Sequence, residues 1–378
     1  YDMALRVFFT ASGKHIGGAT MAMMHLMLGL ASIEKAEPIL LSTPPHHDYL
    51  KLYKRLLEKN VKIVLSKHAF KSLIYWVWLL FSSIKTIKRY RVDIVHCHGT
   101  KEALIVGLAA KLLRRKIVYT VEGDPILEIY YSPRNYSILD RIVLKFSWML
   151  GLKLADTVVG CSGWMAKYLK KRYDVEATGI HNPIDYERFS KIEKHGSNIV
   201  CVARFEKVKG LETLIKALPK IIEVFPDIKV VLVGGGAEEK PLRELTEKLS
   251  ISKNIELQQF RPDIERVLED AAVFVLPSIY EPFGMAAAEA LASGIPIIVS
   301  RTGGLREIVE ENVNGFSFNI GDWGELSEKL LLLLSNSRLR KEASKAARTS
   351  AKKFSPENIA SRYLQTYLLT LRSFTRNR

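Results

Sequence analysis

The alternation of short apolar runs with helix-length segments constrains the fold of this chain more than any other feature. The runs are continuous and rich in β-branched residues, which is typical of parallel strands that are buried on both faces. They form two successive series, which predict two doubly wound parallel-sheet domains of the α/β class. The runs are LRVFFT, PILLST, VKIVLS, VDIVHCH, RKIVYTV and DTVVGCS, then NIVCVARF, IKVVLVGG, IELQQF, AVFVLPS, PIIVS and GFSFN.

A polar stretch at residues 181–198, which contains Pro183 and Gly196, marks the expected join between the domains. A length of 378 residues also suits two domains. We predict an N-terminal domain at 1–190 and a C-terminal domain at 191–354. A final helix at 355–378 would begin with Ser355 as its cap and Pro356 in its first turn.

Charge and cysteine content narrow the partners and the compartment. The net charge is +16, and residues 1–190 carry 28 Lys and Arg against 16 Asp and Glu. Such a surface attracts nucleic acid, anionic membrane or phosphorylated ligands. We do not expect nucleic acid, because the basic residues form no recognisable binding module. Three scattered cysteines without a Cys-x-x-Cys pair indicate a reducing compartment, and we expect a cytoplasmic protein.

In the second half, candidate ligand residues follow two strands, and open α/β sheets bind ligands beyond the carboxyl ends of their strands. Arg204 ends one strand and Lys209 precedes a helix, so the two cations and the helix N-terminus together suit a diphosphate. The alternative for Arg204 is a surface ion pair with Glu206.

The stretch EPFGMAAAEALASGIP follows another strand and places a carboxylate among small apolar residues. Glu281 lies in the loop, and the amides of residues 283–286 are unpaired donors at the start of the next helix. Glu289 lies inside that helix and tilts back toward its start, where a carboxylate could accept two hydroxyl groups of a diol. The alternative is a Glu289 that pairs with Arg or Lys.

The first half offers three further strand ends. Gly17 and Gly18 precede a helix, where they suit either an approaching anion or a tight turn. His98 ends a strand, where it could contact a ligand, whereas we expect His96 to be buried and hydrogen-bonded. No third ligand for a metal is apparent near this pair.

Glu122 and Asp124 follow the next strand, RKIVYTV. Two acids at a strand end suit a ligand site, and a helix or turn cap explains them equally well.

Three segments of the second half, ARFEKVKG, EPFGMAAAEALASGIPIIVS and RTGGLREIVEENVNGF, resemble the retaining GT-B glycosyltransferases with the Glu-seven-residues-Glu motif (glycosyl transferases group 1). IGGAT, VDIVHCHG, LADTVVGCS and HNPIDYERF occur in the order of that family, so the resemblance covers nearly the whole chain. It implies the GT-B fold, with two Rossmann-like domains facing across a cleft, a nucleotide-sugar donor on the C-terminal domain and the acceptor on the N-terminal domain.

The resemblance also implies roles for individual residues. Glu122 stands where many members have a histidine, so it could serve as a base or accept from a sugar hydroxyl, or the donor could differ. The candidate residues are Glu281, Arg204, Lys209 and Glu122 for catalysis, Gly17, Gly18, Phe283, Gly284, Met285, Ala286 and Glu289 for the donor, and Thr20, His98 and Asp124 on the acceptor side.

The implied reaction moves a hexosyl or N-acetylhexosaminyl group, with retention, from a UDP- or GDP-linked sugar to a glycan or lipid-linked acceptor. The chain has no Asp-x-Asp motif, so we expect no essential metal and no cofactor. A non-catalytic nucleotide-sugar-binding protein and a GT-B sugar-nucleotide epimerase are the alternatives.

The segment from Phe70 to Arg91 is both aromatic and basic. It suits an amphipathic element on an anionic membrane surface, which would be the inner face of the cell membrane. A buried helix that leads into the next strand is the other interpretation.

Overall fold

The structure, a computed structural model, describes residues 4–11, 17–66, 73–131, 136–193 and 196–372, without the side chains of 73 and 74. The chain divides into two compact units. The first comprises Tyr1–Ile129, Tyr136–Ile184 and Phe354–Arg378, and the second comprises Tyr130–Asn135 and Asp185–Lys353. These divisions fall near the expected boundaries at 190/191 and 354/355.

The strands are short and follow the apolar runs of the sequence. They are β1 (Leu5–Ala11), β2 (Ala36–Ser42), β3 (Lys62–Leu65), β4 (Ile94–Cys97), β5 (Lys116–Val121), β6 (Thr157–Gly160), β7 (Ala177–Gly179), β8 (Asn198–Val202), β9 (Val230–Val233), β10 (Ile255–Gln258), β11 (Ala271–Leu276), β12 (Ile297–Ser300) and β13 (Gly315–Phe318).

Helices separate most of the strands. They are α1 (Gly18–Ser32), α2 (Leu50–Glu58), α3 (Leu73–Arg89), α4 (Thr100–Leu112), α5 (Pro125–Tyr131), α6 (Ile138–Leu154), α7 (Gly163–Tyr173), α8 (Tyr186–Ser190), α9 (Leu211–Val224), α10 (Glu239–Lys248), α11 (Ile264–Glu269), α12 (Met285–Ala292), α13 (Leu305–Ile308), α14 (Trp323–Ser335), α15 (Ser337–Ala351) and α16 (Pro356–Arg372). Single 3₁₀ turns lie at His47–Tyr49, Lys207–Lys209, Ser252–Asn254 and Lys352–Phe354.

The first unit contains a seven-stranded sheet in the order β3-β2-β1-β4-β5-β6-β7, and its strand pairs are parallel. The strand order reverses between β1 and β4, the position at which doubly wound sheets bind ligands. The last helix, α16, packs against α1 and buries Tyr363 and Tyr367 in the core of this unit.

The second unit contains a six-stranded parallel sheet in the order β10-β9-β8-β11-β12-β13, which reverses between β8 and β11. Strands such as β11 are buried along their whole length, as continuous apolar runs predict for strands covered on both faces. The predicted fold class, two doubly wound parallel sheets, is therefore confirmed.

The aromatic and basic segment forms α3, although residues 70–72 lie outside the described residues. One side of α3 packs against α4 and buries Tyr75 and Leu79, while Val77 and Phe81 are exposed. The helix is thus a component of the fold with one apolar edge in solvent. In the described part of the chain, no helix has both the length and the apolar character that crossing a membrane requires.

Candidate functional site

An ion pair joins the two strand ends at the reversal point of the second sheet. Lys209 lies in the 3₁₀ turn after β8, and Glu281 lies in the loop after β11. The Lys209 Nζ is 2.7 Å from the Glu281 Oε2, and both side chains are largely buried. Ser278 Oγ also donates to this carboxylate oxygen, at 3.1 Å. The site therefore holds a cation and a carboxylate in fixed positions where this fold class binds ligands.

The backbone around Glu281 is held by its neighbours. The Gly304 N–H donates to the Glu281 carbonyl at 2.9 Å. Gly303 has a φ of +49°, and a Cβ there would lie 2.0 Å from the same carbonyl oxygen. Only glycine combines this backbone conformation with so close an approach. The Gly-Gly pair after β12 thus holds the loop that carries Glu281.

Helix α12 begins directly after this loop and directs backbone donors toward it. Gly284, with a φ of +111°, is its N-cap and supplies no side-chain cap. The first helical hydrogen bond runs from the Ala288 N–H to the Gly284 carbonyl. The N–H groups of Met285 and Ala286 precede it at the positive end of the helix dipole, which favours an anion.

Glu289 lies one turn inside α12 and is half-buried. Burial raises the pKa of its carboxyl to about 8, while the nearby Arg188 guanidinium opposes the rise and Asp185 and Glu265 add to it. Arg188 is itself bound by Glu265, to which it donates through two nitrogens. Among the described residues, none donates a hydrogen bond to the Glu289 carboxyl. The geometry therefore does not support the alternative, in which Glu289 pairs directly with Arg or Lys.

Arg204 lies at the same edge, but its side chain is not part of the Lys209–Glu281 ion pair. Its guanidinium is 2.9 Å from the Glu206 carboxylate, and its side chain is 66% exposed. This is the surface ion pair that the sequence left as an alternative. An exposed pair of this kind contributes little to stability, so Arg204 can exchange Glu206 for a ligand phosphate at small cost.

The loop after β9 belongs to the same edge and was missed by the sequence analysis. It reads Gly234-Gly235-Gly236, and a Cβ on Gly234 would lie 1.9 Å from the Ala203 carbonyl oxygen. The two backbones that follow β8 and β9 therefore touch. Three glycines directly after a predicted strand are a signal that the search of strand ends could have found.

The first unit contains a separate polar cluster beside its own reversal point. His98 Nδ1 is 3.1 Å from Glu122 Oε1, and Asn182 Nδ2 donates to Glu122 Oε2 at 2.6 Å. Both partners of the first contact are largely buried. Since a carboxylate only accepts, Nδ1 carries a proton, and in the neutral imidazole Nε2 is then the acceptor. The buried Nε2 has no hydrogen-bond partner within the part of the chain that the structure describes.

Two other candidates of this unit have structural roles. His96 is buried between Tyr367 and Thr120, 2.7 Å from each, which confirms its interpretation as a hydrogen-bonded core residue. Burial and then the neighbouring His98 lower its pKa well below the usual value. Asp124 caps α5 through the Ile126 N–H at 2.8 Å and accepts from the hydroxyls of Tyr168 and Tyr173. This favours the cap that the sequence left open over an acceptor-side role.

The start of α1 carries the remaining candidates. Gly17 is its N-cap without a side-chain cap, Gly18 is the first helical residue, and both are exposed. A Cβ on Gly17 would meet no described residue within 4 Å, so its described neighbours do not require glycine there. Thr20 is half-buried in the first turn. The two glycines leave the helix start open to a ligand.

Comparison with known proteins identifies the class of protein that this chain resembles. A model of the glycosyl transferases group 1 family matches residues 184–350, and a model of glycosyltransferase family 4 matches residues 16–188. The two matches together extend through both units, and the chain is a glycosyltransferase whose second unit matches the group 1 family.

Individual relatives agree with this assignment. The chain is 26% identical over 349 residues to the uncharacterized glycosyltransferase MJ1178 of Methanocaldococcus jannaschii, covering 91% of this chain and 92% of the relative. It is 25% identical over 304 residues to the N-acetyl-alpha-D-glucosaminyl L-malate synthase of Bacillus anthracis, with coverage of 75% and 77%. The solved structure of Alr3699/HepE from Anabaena in complex with UDP-glucose superposes with a TM-score of 0.75 at 20% identity, covering 98% of this chain and 100% of that one. The fold is GT-B.

Proposed function

We propose that this glycosyltransferase moves a hexosyl or N-acetylhexosaminyl group, with retention, from a UDP- or GDP-linked sugar to a glycan or lipid-linked acceptor. The buried Lys209–Glu281 pair beneath the start of α12 is the observation that carries the proposal. It puts one cation, several N–H donors and one carboxylate within the same loop cluster. A sugar diphosphate presents the complementary groups, which are an anion and hydroxyls.

The donor would be held by three parts of the second unit. Lys209, the first amides of α12 and a rotated Arg204 would bind the diphosphate. Glu289 would accept hydrogen bonds from the two ribose hydroxyls, and Glu281 would face the sugar. The UDP-glucose complex of Alr3699/HepE and the N-acetylglucosaminyl product named for the Bacillus anthracis relative support donors of this chemical class.

The reaction needs one bond to break and one to form at the anomeric carbon. The bond from this carbon to the β-phosphate oxygen breaks, the acceptor oxygen bonds to the carbon on the same face, and the departing phosphate takes the acceptor's proton. Lys209 and the α12 amides would stabilise the charge that develops on the phosphate. Positioning and this stabilisation supply the catalysis, so no essential metal is required.

The cluster on the first unit would serve the sugar or the acceptor. Glu122 holds His98 through Nδ1, which leaves the buried, unpaired Nε2 as a hydrogen-bond acceptor for a hydroxyl group. In this proposal Glu122 positions His98, and its own carboxylate is not the base. This assignment replaces the general-base role that the sequence allowed for Glu122.

A thermal-shift panel of UDP-, GDP- and ADP-sugars tests the donor class. We expect one nucleotide to raise the melting temperature, and Lys209→Met to weaken its binding by about tenfold or more, since a charge-assisted contact contributes about 1.5–3 kcal/mol. Lys220→Met, an exposed lysine of the same unit, is the matched control. Binding without release of nucleoside diphosphate in the presence of any acceptor would favour the non-catalytic alternative.

A further inference from the structure

The N-terminal half of α6 carries an apolar face that nothing in the described chain covers. Its successive members are spaced alternately by one and three residues, which places them on one side of a helix. Isolated exposed apolar residues are ordinary, but a contiguous set marks an interaction surface. The members are Ile138 (78% exposed), Leu139 (70%), Ile142 (59%), Val143 (46%) and Phe146 (64%). We call these five residues the α6 face.

The rest of α6 is firmly held, so the α6 face is not the product of a loose element. Trp148 and Leu152 are buried. At the other end, Ser137 and Asp140 form a capping box that satisfies the first N–H groups of the helix. The α6 face is thus presented by a capped helix with an anchored second half.

The helix extends beyond its neighbour α4 at the carboxyl edge of the sheet. Both helices connect neighbouring parallel strands and therefore run in the same direction. Gly151 of α6 lies against Ala103, near the start of α4 at Thr100. At 1.5 Å per residue, Ile138 is about 20 Å before Gly151, so α6 projects by about 15 Å past the start of α4. His98 and Glu122 follow strands at this same edge.

Charge indicates the kind of partner. Arg141 and Lys145 are exposed on the helix beside the α6 face. Residues 1–190 as a whole contain 28 Lys and Arg against 16 Asp and Glu. Apolar side chains bordered by basic ones suit the interface of a bilayer that contains anionic lipid.

We propose that the α6 face inserts into the interface of an anionic bilayer. The surface is then on α6 and not on the Phe70–Arg91 segment, whose helix turns much of its apolar side to α4. The functional role of this membrane contact rests on the proposed function, because a lipid-linked acceptor would be presented at the edge that carries His98. Vesicle binding itself requires no turnover, so the two proposals can fail separately.

Flotation of the full chain with phosphatidylcholine vesicles, with and without phosphatidylglycerol, tests the proposal. We expect binding only to the anionic vesicles and a decrease at high salt. Leu139→Ser should reduce the partition coefficient about tenfold or more, since burial of a leucine side chain is lost. Leu112→Ser is the matched control, because Leu112 is 69% exposed on α4 at its opposite end and should bind as the parent does.

Two variants that each remove one charge from α6 provide a second test and its control. Lys145→Gln should weaken binding about fivefold, the effect of one basic residue near an anionic surface. Lys153→Gln, exposed at the far end of the same helix, should have no effect. Equal losses in Leu139→Ser and Leu112→Ser, or no binding by the parent chain, would overturn the proposal. A concentration-dependent dimer that Leu139→Ser dissociates, without vesicle binding, would overturn it in favour of a second copy of the chain.

Discussion

Glu289→Gln should change the pH dependence of both folding and donor binding. The carboxyl has a pKa of about 8 in the folded protein against 4.5 for an unperturbed glutamic acid. Because the folded-state pKa is raised, the folded state binds the proton more tightly, and its stability falls as the pH rises from about 4.5 through 8. One pKa unit corresponds to about 1.4 kcal/mol, so the full effect is on the order of 4 kcal/mol for this half-buried group.

The glutamine variant removes this titration while keeping the size of the side chain. At pH 5 the parent and the variant should have similar free energies of unfolding, since the parent carboxyl is then neutral when folded. At pH 9 the variant should be the more stable by up to about 4 kcal/mol. Urea denaturation at several pH values measures this difference, and Glu223→Gln, an exposed residue of the same unit, controls for the loss of a charge.

Donor binding should show the opposite preference. Two ribose hydroxyls donate best to the ionised carboxylate, so binding should release a proton and strengthen with pH up to about 8, by at most about tenfold per pH unit. Calorimetry in buffers of different ionisation enthalpy counts this proton. A stability difference between parent and Glu289→Gln that stays constant from pH 5 to pH 9 would refute the reasoning.

Two further predictions concern the chemistry. Glu122→Gln should lower kcat by about tenfold or more with little change in donor KM, because His98 loses the carboxylate that fixes its tautomer. His98→Gln should have a similar effect. The double variant should have a kcat only slightly below that of either single variant. A double variant with the product of both losses would show that the two side chains act independently. Removal of divalent cations with EDTA should leave turnover unchanged, and a loss that magnesium restores would contradict the metal-free mechanism.

The fold and the family were predictable from the sequence because they depend on local patterns. Runs such as the one that forms β11 are apolar and β-branched throughout, and this pattern determines that both faces of the strand are covered. Open α/β sheets bind ligands beyond the carboxyl ends of their strands, so candidate residues could be named after each strand without knowledge of any contact. Glu281 and Lys209 were found in this way.

The pairing of these residues was not predictable, because it depends on contacts between distant parts of the chain. Lys209 and Glu281 are 72 residues apart, and Asn182 reaches Glu122 across 60 residues. The sequence could therefore name Glu122 but could not show that its two oxygens are already occupied. The raised pKa of Glu289 likewise depends on burial and on Arg188, which lies in a helix 101 positions earlier in the numbering.

The exposure of the α6 face was not predictable from the sequence for the same reason. An apolar stripe on a helix predicts that the stripe is covered, and for most helices of a doubly wound domain the sheet covers it. Within the described chain, the buried residues of α6, such as Trp148 and Leu152, lie in its second half, and the helix begins well before α4 does. The sequence pattern is identical for a stripe that meets the core and for one that meets an external partner. Under the proposal that the α6 face binds an anionic bilayer, the length of α6, and not its composition, is the feature that brings the edge with His98 to a lipid-linked acceptor.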